Sequence, residues 1–131
     1  MKSLIVEDDF TSRLLLQAIL SRFGECHIAV NGREAVEAFG AARASGRGYD
    51  LVCMDIMMPE MDGHSALEAI RKAEMEEGVS SGLAAKVVMT TALDSVKDVA
   101  AAFRGLCDAY LVKPINSAEL IEQLREFSLV A

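Results

Sequence analysis

Acids, a hydroxyl and an ammonium each stand directly after a short apolar run. Glu7, Asp8 and Asp9 follow Ser3–Val6, Asp55 follows Leu51–Met54, Thr91 follows Lys86–Thr90, and Lys113, with Pro114 behind it, follows Ala109–Val112. Carboxylates crowded together repel one another and call for a cation between them. Hard oxygen donors favour Mg2+, which keeps several waters and takes few protein carboxylates. Asp55 could then act as a nucleophile that accepts a phosphoryl group as an acyl phosphate. Such a transfer needs a cation and donors for the phosphoryl oxygens, and bound Mg2+, Lys113 and Thr91 could supply them. Each residue alone has a plainer reading: acids that solvate a sheet edge, a surface lysine, a β-branched strand residue. Only their convergence argues for chemistry.

The elements decide whether they converge. Five short apolar runs alternate with helical patterns. After Ser3–Val6 comes a helix over about 11–23, with Leu15, Ile19 and Phe23 at four-residue spacing. Cys26–Val30 reads as the second strand. Asn31 and Glu34 make a capping box for a helix carrying Ala35, Val36 and Phe39 on one face. The third strand, Leu51–Met54, leads to a helix after Asp62-Gly63 with Ala66, Leu67 and Ile70 inward. The fourth is followed by a helix that Asp94 can cap, showing Val96, Val99, Ala100 and Phe103. The fifth is followed by a capping box at Asn116 and Glu119, opening a helix with Leu120, Leu124 and Phe127. Strands this apolar suggest burial on both faces. Alternating βα units imply a parallel sheet with right-handed crossovers, and five units are too few for a closed barrel. The expected fold is an open, doubly wound α/β sheet of five parallel strands with five helices, whose sites lie beyond the strands' carboxyl ends. The stretch from about Ala73 to Ala85 reads as an extended, mobile loop.

Composition narrows the partners. The chain has 131 residues, the size of one domain, and its formal charge is −7. That balance argues against nucleic-acid phosphates and anionic membranes. No run is long enough for a membrane span, and no signal peptide opens the sequence. Cys26, Cys53 and Cys107 are isolated, which fits reduced thiols in a cytoplasmic protein and neither a disulfide framework nor a zinc site. Neighbours on a strand face opposite sides, so Cys26 and His27 would not share a metal. His64 is expected at an exposed helix start and Cys53 as an inert buried thiol. The seven methionines read mainly as core filler.

In its motifs the chain resembles the receiver domain of two-component response regulators, the CheY-like family. The resemblance runs through the whole length and rests on Val6-Glu7-Asp8-Asp9 with Arg13, Asp55-Ile56-Met57-Met58-Pro59-Glu60-Met61-Asp62-Gly63, Met89-Thr90-Thr91-Ala92 and Tyr110-Leu111-Val112-Lys113-Pro114. It implies a sheet order of 2-1-3-4-5. It implies Asp55 as phosphoacceptor, with Asp8 and Asp55 as direct Mg2+ ligands, Glu7 acting through water, and the Met57 backbone carbonyl as a further ligand. Lys113 would pair with Asp55 and then with the phosphoryl oxygens. Thr91 would swing to the phosphate, and Tyr110 would turn inward as the aromatic switch. Lys113-Pro114 would be a cis peptide.

The implied function is a phosphorylation-activated signalling switch, charged by a sensor histidine kinase or phosphotransfer protein. It would not be an enzyme beyond self-catalysed phosphoryl transfer and autodephosphorylation. A protein target would be read by the fourth helix, fifth strand and fifth helix, around Val96–Arg104, Tyr110 and Ser117–Gln123. One receiver domain over residues 1–131 with no output domain, acting as a monomer or weak dimer, is expected. Met57 and Leu93 stand where relatives carry polar residues that position water, so slow dephosphorylation is expected. An FMN carrier would want a phosphate-binding loop in place of Glu7-Asp8-Asp9, and an aspartyl phosphatase would want a second Asp two residues after Asp55. The strongest alternative is a phosphorylation-independent receiver-like interaction module, which usually lacks one of the acid pair, the acceptor or the lysine.

Overall fold

The computed structural model describes residues 1–58, 60–79, 84–92 and 106–131. Five strands, β1 (Lys2–Val6), β2 (Glu25–Ala29), β3 (Leu51–Asp55), β4 (Lys86–Thr91) and β5 (Ala109–Val112), form one parallel sheet in the order β2-β1-β3-β4-β5. Four helices are described: α1 (Phe10–Leu20), α2 (Gly32–Ala44), α3 (Gly63–Glu76) and α4 (Ser117–Glu126). The expected helix after Asp94 lies outside the described residues. Among those described, no helix is long and apolar enough to cross a membrane.

Period-two alternation splits the core into two layers. Leu4, Val6, Val52, Met54, Val87 and Met89 meet α2 and α3 through Ala35, Phe39, Leu67 and Ile70. Ile5, Leu51, Cys53 and Val88 meet α1 and α4 through Leu16, Ile19, Leu20, Leu120 and Leu124. Strands β1 and β3 are buried along their whole length. The expectation of two-sided burial fails at the two edges of the sheet: at β2, where Glu25, His27 and Ile28 are exposed, and at β5, where Tyr110 is exposed and its neighbours are half-buried. At 100° per residue, Leu16, Ile19 and Leu20 share the buried face of α1. Leu15, expected inside, lies 39% exposed to one side, and Phe23 packs only partly, beyond the helix end.

Each described helix starts at an Asx cap. Asp9, Asn31, Asp62 and Asn116 accept from the backbone N–H groups of Ser12, Glu34, Ser65 and Glu119 at 2.8–3.1 Å. Such a cap typically contributes about 1 kcal/mol. Helix α3 runs past Ala73 and stops at a left-handed Gly78 (φ 73°), where the Val79 N–H donates to the Glu74 carbonyl. The expected loop is therefore shorter than Ala73–Ala85, and its centre, 80–83, lies outside the described residues. Glu74 is buried. Arg71 Nη1 donates to its carboxylate at 2.7 Å and the Ala85 N–H at 2.8 Å, which fastens α3 to the approach of β4.

Cys53 sits in the centre of β3 with no exposure, and burial pushes its thiol up to about 12. No appreciable thiolate exists there at neutral pH. Native protein treated with a thiol reagent at pH 7.5 should leave Cys53 unlabelled in peptide mapping, and labelling should appear once denaturant unfolds the sheet.

Candidate functional site

Every sequence-predicted acid comes to the carboxyl edge of the sheet by way of a central strand. Glu7 extends β1, its N–H donating to the Ala29 carbonyl at 3.0 Å, and its side chain is wholly buried. Asp8, next along, is exposed. Asp55 closes β3 and is 7% exposed. Oxygens of Glu7, Asp8 and Asp55 lie within 4.8 Å of one another. Asp9 stands apart from this group as the α1 cap.

Lys113 answers the crowding. Its ammonium donates to Glu7 Oε1 at 2.9 Å and Oε2 at 3.1 Å, and lies 3.2 Å from Asp55 Oδ2. The expected pairing with Asp55 is present, but Glu7 is an equal claimant that sequence reasoning left to water. Burial pushes the Glu7 carboxyl above the usual carboxylate range, with Lys113 opposing and the Asp55 charge adding to the rise. For Lys113 burial works against the charge, yet the contacts with Glu7 and Asp55 prevail and hold its pKa above the ordinary lysine value. One cation against three carboxylates leaves a negative site of hard oxygen donors, one of them open to solvent. That donor set fits a hard divalent cation.

Backbone contacts fix the Asp55 carboxylate and the loop after it. The Met57 N–H donates to Asp55 Oδ1 at 3.3 Å, the Ile56 N–H to the Thr90 carbonyl at 3.3 Å, and the Gly63 N–H to the Ile56 carbonyl at 3.0 Å. The Lys113 N–H donates to the Thr91 carbonyl at 2.7 Å, which ties the lysine to β4. Arg13 Nη1 donates to the Glu7 carbonyl at 3.2 Å. The Lys113-Pro114 bond is cis, as the family resemblance implied. Thr91 is buried at the site with its hydroxyl on the Ala92 carbonyl at 3.2 Å. Tyr110 is 41% exposed on β5. Leu93 and Val96–Arg104 lie outside the described residues. His64 sits 3.1 Å from Glu68, half-buried at the start of α3.

Gly63 is the residue whose importance was missed. A Cβ there would stand 2.5 Å from the Asp55 carbonyl oxygen and 2.9 Å from Ile56 Cα. A glycine opening a helix directly after its Asp cap was the available signal, read only as a helix start.

A family model described as the response regulator receiver domain matches residues 3–125. The chain belongs to that family, the receiver domains of two-component systems. Over 127 residues it is 32% identical to the chemotaxis protein CheY of Thermotoga maritima, covering 95% of each chain. The receiver domain of the sensor histidine kinase PA1611 from Pseudomonas aeruginosa, crystallised with a magnesium ion coordinated in its active-site cleft, superposes with a TM-score of 0.77 at 26% identity, over 96% of this chain and 95% of that one. The co-crystal structure of the Saccharomyces cerevisiae histidine phosphotransfer signaling protein Ypd1 with the receiver domain of its downstream response regulator Ssk1 matches at 0.81 and 30% identity, over 97% of this chain and 88% of that one. Other curated relatives are longer: the chain spans 49% of one, 42% of a second and 13% of a third.

The two nearest Gly63 contacts are backbone atoms, which cannot swing aside for a methyl group as the Met89 side-chain end at 3.0 Å can. Gly63→Ala should lower stability in denaturant unfolding by about 1–3 kcal/mol, the usual cost of forced overpacking. An unchanged midpoint would mean that the loop after Asp55 gives way freely.

Proposed function

We propose that this receiver domain is a phosphorylation-activated switch in which Asp55 accepts a phosphoryl group from the phosphohistidine of a sensor histidine kinase or phosphotransfer protein. The observation that carries this is the Lys113 ammonium shared between Glu7 and Asp55, beside an exposed Asp8. In the transfer an Asp55 carboxylate oxygen attacks phosphorus, the P–O bond forms, and the P–N bond to the histidine breaks. The imidazole nitrogen keeps the electron pair. Backbone contact from Met57 and the pull of Lys113 hold the carboxylate in one orientation, so little is lost in aligning it. Held by Asp8 and Asp55 directly, Glu7 through water and the Met57 carbonyl, Mg2+ would neutralise charge on the phosphoryl oxygens. Lys113 moves its hydrogen bond from Asp55 to those oxygens, and Thr91 turns its hydroxyl to them.

The phosphoryl group adds roughly −1.5 to −2 charges at neutral pH and new acceptor oxygens. Its contacts with Thr91 and Lys113 favour one of two pre-existing conformers. Inward rotation of Tyr110 carries the change to the surface of β5 and the start of α4, where a protein target binds. The chemistry is done on the protein's own side chain, so the chain is a switch and not an enzyme acting on a separate substrate. It works in the cytoplasm, where its phosphodonors are. The Ypd1–Ssk1 pair supports this reading by analogy, and the magnesium ion of the PA1611 receiver supports the metal.

Incubation with acetyl phosphate and Mg2+ should give a single phosphoryl adduct by intact-mass spectrometry, absent from Asp55→Asn. If the parent takes up no adduct and also fails to bind beryllofluoride, the domain is a phosphorylation-independent interaction module.

A further inference from the structure

Thr90 precedes Thr91 on β4, and its side chain turns to the opposite face. Val88 packs in the layer of Cys53 and Leu120, whereas Met89 packs in that of Met54. By alternation Thr90 shares the Val88 face. The ladder pairs Thr90 with Asp55 on β3 and with Leu111 on β5. Registered neighbours in a parallel sheet project to the same side, so the Thr90 side chain stands next to that of the nucleophile. Thr90 is 1% exposed, and its Oγ1 has no hydrogen-bond partner among the described residues. The registered carboxylate is itself engaged, Asp55 Oδ1 with the Met57 N–H and Asp55 Oδ2 with Lys113, and on the other face Thr91 Oγ1 donates to the Ala92 carbonyl. A buried hydroxyl without a partner destabilises the fold, and valine would fill the same shape without that penalty. The resting form keeps a spare donor beside the one carboxyl that the proposed chemistry alters.

We infer that the Thr90 hydroxyl is a positioning group for the phosphorylated form, donating to the Asp55 carboxyl oxygen that Lys113 leaves. This rests on the reading of Asp55 as phosphoacceptor. Adjacent strands lie about 4.8 Å apart, so a side-chain rotation brings a threonine hydroxyl within reach of a registered aspartyl oxygen. Esterification makes one carboxyl oxygen the bridge to phosphorus and the other a carbonyl. Once Lys113 has turned to the phosphoryl group, an Asp55 oxygen has lost its ammonium, and Thr90 is the neighbouring donor with no other engagement. No bond to Thr90 is made or broken.

Beryllium fluoride with Mg2+ tests this at equilibrium, because the fluoride complex on the carboxylate mimics the phosphoryl group. By calorimetric titration, Thr90→Val should bind it roughly two- to tenfold more weakly than the parent, the range given by one net hydrogen bond. Thr90→Ser, which keeps the hydroxyl, should bind as the parent does, and a thermal melt at or above that of the parent shows that Thr90→Val is folded. Parent-like affinity in Thr90→Val overturns the inference, and so does equal weakening in Thr90→Ser, which would assign the effect to the methyl group. If the parent itself binds no better than Asp55→Asn, the phosphoacceptor reading fails and the role of Thr90 falls with it. If the parent binds and only the Thr90→Val loss is missing, that reading stands and this one does not.

Discussion

The ammonium of Lys113 lies between two carboxylates that would otherwise repel each other at the edge of the sheet. Glu7 is fully buried, and a buried carboxylate without a counter-charge is among the costliest groups a fold can hold. Its partner arrives from 106 residues away, at the end of the last strand. The ion pair therefore exists only when β1, β3, β4 and β5 are all in register. Conversely, the crowding of Glu7, Asp8 and Asp55 is sustainable because the fold delivers that one cation to them.

Much of the remaining architecture serves to hold this edge still. The helix caps begin α1 and α3 directly beside it, so Asp9 and Asp62 end the site's loops as they start its helices. The close approach of Gly63 to Asp55 and Ile56 pins the loop that follows Asp55. The contact of Lys113 with the Thr91 carbonyl couples the cation to the strand that carries both threonines. Lys113 and Thr91 are thereby held at the same edge as the acids.

The structure sets a polar edge above an apolar core. Two apolar layers, one under α1 and α4 and one under α2 and α3, grip both faces of the central strands. The carboxyl edge above them carries the acids, the hydroxyls and a half-exposed Tyr110. Packing fixes the strands, and the polar edge holds its acids against Lys113.

What the sequence determined by itself was local and periodic. Apolar runs ending in acids, asparagines three positions before a glutamate, and inward triplets such as Ala66, Leu67 and Ile70 each carry their meaning within a few residues. Strand number, caps and the list of polar residues at strand ends were legible for that reason. The family resemblance set β2 at the margin, but the strand pattern by itself did not show its exposure, because a short strand reads alike in the centre and at the margin. The true inner face of α1 was also ambiguous, since Leu14, Leu15 and Leu16 are adjacent and only packing against Ile5 and Leu120 selects among them. Tertiary structure alone decided that Lys113 divides itself between Glu7 and Asp55, that Glu7 is dry while Asp8 is wet, and that Thr90, without a hydrogen-bond partner among the described residues, stands in register with Asp55. Those outcomes depend on distances between residues far apart in the chain, and local sequence pattern carries no information about them.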